Sequence, residues 1–388
     1  MKGLLTRLKA LAGSGAAPAA PAAPAAPAAP AAPATSAASP AAEQGEGVLV
    51  NAYCTRAEVP ALGFPHTLHA RRDLSDPELA AHLSGFVGYV LSRGNGEMSR
   101  NRYHAMRHIQ RVRQHLSLSI DESQLDAFSE WAERANAIVF LTDGGIRDPN
   151  GRVLLSAAGE EPDREAAVPY PAEAWQRKAR TEALLASRGM PVPQHLPPLV
   201  SEPELRPRTP QELAGRAFAL LAVSARAESV ASGEPLPVAD LFARLPSAQA
   251  NLSPDEQAFI ADEAPGQSAV AQFGWRFECL FVLEWALGLV DALPFPGAIC
   301  DVPLATRLML DAGDVDGVMR SAKVRTDSEL LDALDLHYRL HWLVRQARLK
   351  EEAAPAGVDA GVVLERHRAL NWLVRFEDHD WDDVDTPT

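Results

Sequence analysis

Two histidines, His337 and His341, have the spacing in this sequence that comes nearest to a catalytic motif. Residues four apart project from one face of a helix, and two imidazoles arranged in this way bind zinc in metalloproteases. Those enzymes carry a glutamate base directly after the first histidine, whereas here that position is Tyr338. The pair therefore predicts one of two arrangements. Either a metal site takes a third ligand from Glu365, His367 or the acidic tail, or the histidines bond to neighbouring helices.

Charged side chains also lie within apolar helical sequence in the same third of the chain. Arg276, Glu278 and Glu284 interrupt the apolar stretch 274–291, and such charges cost several kcal/mol unless they are paired. We therefore expect these groups to converge with the two histidines in one polar pocket. The sequence does not decide whether that pocket is a structural ion-pair network or a ligand site, because both shift the pKa values of titratable groups in the same way. The candidate ligand-binding residues are Arg276, Glu278, His337, Arg339, His341 and Arg345.

Other catalytic and ion-binding patterns do not occur in the sequence. There is no GxSxG motif and no P-loop, and the glycines of 94–99 lack the third glycine of a dinucleotide-binding loop. The acidic stretches 311–317 and 377–385 lack the spacing of an EF-hand loop. No catalytic residue is identified, so the sequence favours a binding protein over an enzyme.

Composition limits the classes of partner and compartment. Net charge is −14, which argues against nucleic-acid binding because phosphate contacts need a basic surface. The basic cluster 100–115 is therefore expected to face an acidic surface, either within the chain or on a partner. Three cysteines without CxxC spacing fit a reducing compartment. No run approaches the roughly 20 apolar residues that span a bilayer.

The elements that must position these side chains change in type along the chain. Strands alternate with helices in the first folded region, whereas three capping boxes beginning at Thr209, Ser253 and Thr326 predict helices in the last one, including one long helix over 268–291. The expected fold class is α+β. The expected segments are a short basic amphipathic segment at 1–15, an Ala/Pro-rich linker at 16–45, an α+β domain at 46–160, a helix and proline-rich connector at 161–208, and an α-helical domain at 209–388.

Several motifs of the second half occur in an order that resembles a known family. They are RTPQELAGRAFALLAVSARAE, QFGWRFECLFVLEWALGLVDALPFP, ICDVP, LDLHYRLHW, RHRALNWL and WDDVDTPT. Together they resemble a bacterial family defined by a domain of unknown function, family number 4272, over roughly 175–388. The resemblance implies a predominantly α-helical, cytosolic protein with no established activity, cofactor or partner.

These observations favour a cytoplasmic, non-catalytic protein that binds a partner protein or a small ligand through a polar groove in its helical domain. One alternative is a metal-assisted hydrolase in which His337 and His341 are ligands and Glu278 or a tail aspartate is the base. Another is an adaptor tethered to a membrane surface through residues 1–15, whose leucines fall on one helical face. We expect no cofactor, no nucleic-acid partner and no transmembrane segment.

Overall fold

The structure, a computed structural model, describes residues 47–94 and 97–388. The segments predicted for 1–15 and 16–45, and two residues of the glycine-containing stretch 94–99, lie outside the described residues. A six-stranded sheet is followed by a predominantly helical region, which confirms the predicted α+β class. Among the helices that the structure describes, none has the length and hydropathy to cross a bilayer.

The sheet unit, residues 47–160, is built on antiparallel strands in the order β2-β3-β1-β4-β5-β6. Side chains alternate between the faces of a strand, so Val50 and Ala52 of β1 face one core and Tyr53 faces the other. Both faces are therefore covered by helices. The strands are β1 (Val48–Cys54), β2 (Thr67–Asp73), β3 (Gln114–Ile120), β4 (Ala137–Leu141), β5 (Ile146–Arg147) and β6 (Val153–Leu155).

Three helices cover the sheet: α1 (Pro77–Leu91), α2 (Arg100–Gln110) and α3 (Leu125–Arg134). Helix α3 packs through Phe128 and Trp131 on the face that carries Val50, while α1 and α2 share the opposite core. The amino ends of α1 and α2 are capped by the side chains of Asp76 and Ser99, which accept backbone N–H groups. Helices α1 and α2 are thereby fixed on the side of the sheet that faces the rest of the molecule.

The connector, residues 161–208, contains α4 (Ala172–Ser187), which matches the predicted helix, and then a proline-rich chain. Lys178 fixes this chain on α4 because its Nζ donates to the carbonyl oxygens of Gln194 and Leu196, both at 2.6 Å. The extended chain therefore forms a wall beside the helices instead of a free loop.

The helical unit, residues 209–388, begins with the first of the three predicted capping boxes, and all three are present. The prediction of one helix over 268–291 was wrong: two helices meet at Gly274 and Trp275, and the second ends at Ala286, before Gly288 with φ of 73°. The helices are α5 (Pro210–Ala231), α6 (Val238–Arg244), α7 (Pro254–Ala261), α8 (Gln267–Gly274), α9 (Arg276–Ala286), α10 (Val302–Ala312), α11 (Val315–Ser321), α12 (Asp327–Leu349) and α13 (Ala360–Leu373).

Helix α13 packs against both α9 and α12. Its buried Leu370 and Leu373 belong to the same core as Phe218 of α5 and Leu280 of α9. Burial of side chains of this size contributes about 1.5–3 kcal/mol each. The apolar core thus brings the polar residues of α13 next to the charged residues of α9 and the histidines of α12.

Candidate functional site

Three consecutive residues of α13 bind three of the side chains that the sequence singled out. Helix α13 lies between α9 and α12, so successive side chains reach different neighbours. The sequence marks Glu365 and His367 only as possible metal ligands, and no pattern marks Arg366. The pairs are Glu365 with Arg276, Arg366 with Glu278, and His367 with His341.

Glu278 and Arg366 form a buried ion pair between α9 and α13. Arg366 Nε donates to Glu278 Oε2 at 2.9 Å, and Arg366 Nη1 donates to the carbonyl oxygen of Pro294 at 2.7 Å. The N–H of Cys300 donates to the other oxygen of Glu278. Burial raises the pKa of Glu278, and Arg366 opposes that shift. These contacts saturate Glu278, so it is positioned to hold helices together.

Arg276 is paired in the same interface with Glu365, which also accepts from the Cys279 thiol. Burial alone would lower the pKa of Arg276, but the carboxylate of Glu365 reverses the direction and raises it. The pair leaves Arg276 Nε buried without a hydrogen-bond partner among the described residues. Arg276 is therefore a structural cation on one side of α13.

Glu284, in the same helix, differs from the other two charged residues. It is fully buried, and neither carboxyl oxygen has a hydrogen-bond partner in the part of the chain that the structure describes. Burial raises its pKa to about 9. The carboxyl group is therefore protonated near neutral pH.

The two histidines of α12 have different partners. His337 Nδ1 is bonded to the carbonyl oxygen of Ala333 at 2.7 Å, and burial lowers the pKa of His337 to about 4. His341 Nδ1 lies 3.0 Å from His367 Nδ1, and burial lowers the pKa of His341 to about 4. Across residues 47–94 and 97–388, no group of three or more His, Cys, Asp or Glu side chains is arranged to hold a metal ion.

Arg339 and Arg345 make contacts separate from those of Arg276 and Glu278. Arg339 is fully buried, and its Nε and Nη2 donate to Asp335 at 3.0 and 2.8 Å. Its Nη2 also reaches the carbonyl oxygen of Pro197 in the connector at 3.2 Å. Arg345 is exposed and donates to the main-chain oxygen of Thr388 at 2.9 Å. The predicted residues are thus distributed over several contact networks.

A cavity of about 650 Å³ lies between the sheet unit and the helical unit. Helices α1 and α2 form one side, α12 and α13 form the other, and the connector and the segment after α13 complete the wall. His367, through its contact with His341, and Pro197, through its bond from Arg339, connect the predicted residues to this space. Its lining includes Ala80, Tyr103, Arg113, Tyr170, Tyr338 and His367.

Three tyrosines from three different elements line this cavity: Tyr103 of α2, Tyr170 of the connector and Tyr338 of α12. Burial raises the pKa of Tyr170 and Tyr338, so both hydroxyls stay protonated near neutral pH. None of the three hydroxyls bonds to another described residue. They are therefore available to a molecule inside the cavity.

Arginines of the basic cluster 100–115 line the same cavity, and two of them have acidic partners in the chain. Arg107 pairs with Glu377, and Arg111 Nη1 donates to Glu204 Oε1 at 3.1 Å. Arg113 differs because its guanidinium makes no hydrogen bond or ion pair with any residue that the structure describes. The expectation that the cluster meets an acidic surface within the chain agrees with the first two contacts.

Sequence reasoning missed this cavity. The basic cluster includes Arg113, and the helical spacing over 98–116 includes Tyr103, but no pattern marks Tyr170 or places these residues in one cavity. Because the lining comes from α1, α2, α12, α13 and the connector, only the tertiary arrangement brings these residues together.

Comparison with known proteins matches residues 177–384 to the model of a family described as Domain of unknown function (DUF4272), which is more than half of the chain. No curated protein and no solved structure matches. The match begins within α4 and includes the proline-rich wall, α12 and α13. The helical side of the cavity therefore lies within the matched region.

Proposed function

Since this chain belongs to the DUF4272 family, whose description names no activity, we propose from its geometry that it is a non-catalytic protein that binds a small molecule in the cavity between the sheet unit and the helical unit. The observation that carries the proposal is the cavity itself. Its volume of about 650 Å³ lies within the range of about 300–1,000 Å³ that is usual for small-molecule sites.

The lining has the mixture of groups that such sites have. Small-molecule sites are mostly apolar, with a few polar groups that fix the orientation of the ligand. Here the polar groups are the three tyrosine hydroxyls and the guanidinium of Arg113. The apolar lining includes Leu79, Leu83, Val87, Val112, Leu199, Val200, Leu334 and Val374.

A binding role is favoured over catalysis because the carboxylates and the imidazole of the wall already have protein partners. General acid–base catalysis needs a group whose pKa lies near the working pH. Burial holds the pKa of His367 well below its usual value. Glu204 and Glu377 are paired with arginines. Among the described residues of the wall, no carboxylate or imidazole is left without a protein partner.

We further propose that Arg276, Glu278 and His341 hold the wall of the cavity in place without lining it. They bind three successive residues of α13 and so fix the helix that carries His367. Arg339 acts similarly on the connector through its bond to Pro197. A cytoplasmic location remains part of the proposal, because free, buried cysteines fit a reducing compartment.

Filling the cavity tests the proposal. Ala80 is exposed on α1 and lines the cavity, whereas its neighbour Ala81 is exposed and points elsewhere around the helix. We expect Ala80→Trp to weaken the binding of anilinonaphthalenesulfonate, followed by its fluorescence, by about tenfold or more. Ala81→Trp carries the same new indole and should leave the affinity nearly unchanged. Equal affinities for the two variants would overturn the proposed site.

A further inference from the structure

We propose that the molecule bound in the cavity is a planar, apolar monocarboxylate whose carboxylate is bound by Arg113. This inference rests on the proposed function, since it names the chemical class of ligand for the same cavity. It depends on Arg113, the one described arginine of the lining without a partner among residues 47–94 and 97–388, and on the three tyrosines that share the space.

The main chain holds Arg113 at the sheet side of the cavity. Its N–H donates to the carbonyl oxygen of Cys54 at 2.8 Å, which attaches the residue to the end of β1. The side chain is half-buried, so the guanidinium has lost part of its water without gaining an acceptor from the described part of the chain. A guanidinium carries five N–H donors in a planar fork, and a carboxylate can accept two of them in parallel. An anionic group is therefore the complement that this position lacks.

The other cations in the wall are less available. Arg107 and Arg111 are committed to Glu377 and Glu204, and Arg375 donates to both carboxylate oxygens of Glu212 at 2.9 Å. An anion entering the cavity would have to break one of these pairs to reach those arginines. At Arg113 no pair has to be broken.

The charges around Arg113 favour a single negative charge over two. Burial and Arg206 lower the pKa of Arg113, while the carboxylates of Asp378 and Glu204, which line the same cavity, oppose that shift. A phosphate monoester carries nearly two negative charges near neutral pH, and both would be repelled by these carboxylates. A carboxylate gains the same bidentate hydrogen bonds with half of that repulsion.

The body of the ligand is inferred from the tyrosines. Tyr103 of α2 and Tyr338 of α12 line opposite sides of the cavity, and a planar ring that packs against a tyrosine ring gains energy beyond the burial of apolar area. Leu83 and Val87 of α1 supply further apolar contact. A flat, apolar body of one or two rings fits these surroundings.

The test uses three probes with one body and three head groups: β-naphthoate, β-naphthol and β-naphthyl phosphate, titrated into the full chain by calorimetry. We expect β-naphthoate to bind about tenfold or more tightly than either of the others. Arg113→Gln should remove that advantage while leaving the affinity for neutral β-naphthol unchanged. Arg206→Gln removes a nearby exposed charge outside the cavity, so it should change the affinity for β-naphthoate by less than about threefold.

The possible results distinguish an error in the proposed class of ligand from an error in the proposed binding site. If β-naphthol binds as tightly as β-naphthoate, or the phosphate binds most tightly, the monocarboxylate inference is wrong. Weakening of the same probes by Ala80→Trp would then still support the cavity as the binding site. If Ala80→Trp changes none of the affinities, both proposals fail. A loss for β-naphthoate that is equal in Arg113→Gln and Arg206→Gln would mean that the general field of the surface, not Arg113, attracts the anion.

Discussion

The Nδ1 atoms of His341 and His367 lie 3.0 Å apart and join α12 to α13 at the wall of the cavity. Two imidazoles can share one hydrogen only if one donates it and the other accepts it, so this contact requires at least one neutral ring. Burial lowers the pKa of both residues. The contact is therefore a connection between two helices that acid should break.

We expect His341→Gln to make the protein less sensitive to acid. The pKa of His341 is about 4 in the folded chain, against the usual 6.5. Between these values the unfolded chain binds more protons, so the free energy of unfolding falls as pH decreases, by about 1.4 kcal/mol per pH unit for one histidine. Denaturant unfolding at several pH values in this window should give a shallower slope for the variant. The control variant is His69→Gln, which replaces an exposed histidine. Equal slopes for His341→Gln and wild type would contradict the prediction.

A second prediction concerns Glu284, whose pKa is raised to about 9 from the usual 4.5. Between these values the folded chain retains a proton that the unfolded chain loses, so this residue makes the folded state less stable as pH rises. Relative to Glu284→Gln, the free energy of unfolding of the wild type should fall by about 1.4 kcal/mol per pH unit across the window. Glu234→Gln, at an exposed position, should show no such trend. A constant difference between wild type and Glu284→Gln would show that the carboxyl finds a partner.

The third prediction separates the buried ion pair from ordinary surface pairs. Arg366→Met leaves the carboxylate of Glu278 buried without its cation, which should lower the free energy of unfolding by about 3–5 kcal/mol. Adding Glu278→Gln should recover part of this loss, because the uncompensated charge is gone. Arg152 and Glu165 form an exposed pair at 3.4 Å, and Arg152→Met should cost less than about 1 kcal/mol. Similar losses for the two arginine variants would contradict a structural role for Arg366.

A fourth prediction concerns the thiols. Cys54, Cys279 and Cys300 are all buried and free, and burial raises the pKa of each thiol. The thiolate is the reactive form, so a disulfide reagent should not react with the native protein and should titrate all three thiols after denaturation. Rapid reaction of one thiol under native conditions would indicate local opening around that residue.

The features that the sequence predicted well are those set by local chemistry. The capping boxes at Thr209, Ser253 and Thr326 depend on residues three apart, and all three form. The ion pair of Arg339 with Asp335 could also be predicted from a spacing of four residues within one helix. The sequence analysis instead treats Arg339 as a candidate ligand-binding residue. That contact was available from the sequence and was missed.

The features that the sequence did not reveal depend on how distant elements meet. The cost of burying Arg276 and Glu278 correctly implied partners. Which residues serve as those partners depends on the packing of α13 between α9 and α12. The spacing of residues in the sequence does not indicate that packing. The cavity was still harder to predict, because Arg113 and Tyr338 belong to different units and lie far apart in the sequence.

Glu204 makes it harder for the helical unit to be joined to a different neighbouring domain during evolution. Its carboxylate is bound by Ser201 within the connector and by Arg111 and Asn136 of the sheet unit. A recombined gene that joined the family-matched region to an unrelated neighbour would retain Glu204 and lose both donors of the sheet unit. A new neighbour that buried Glu204 without supplying equivalent donors would leave its carboxylate short of hydrogen bonds, so we expect the two regions to be inherited together.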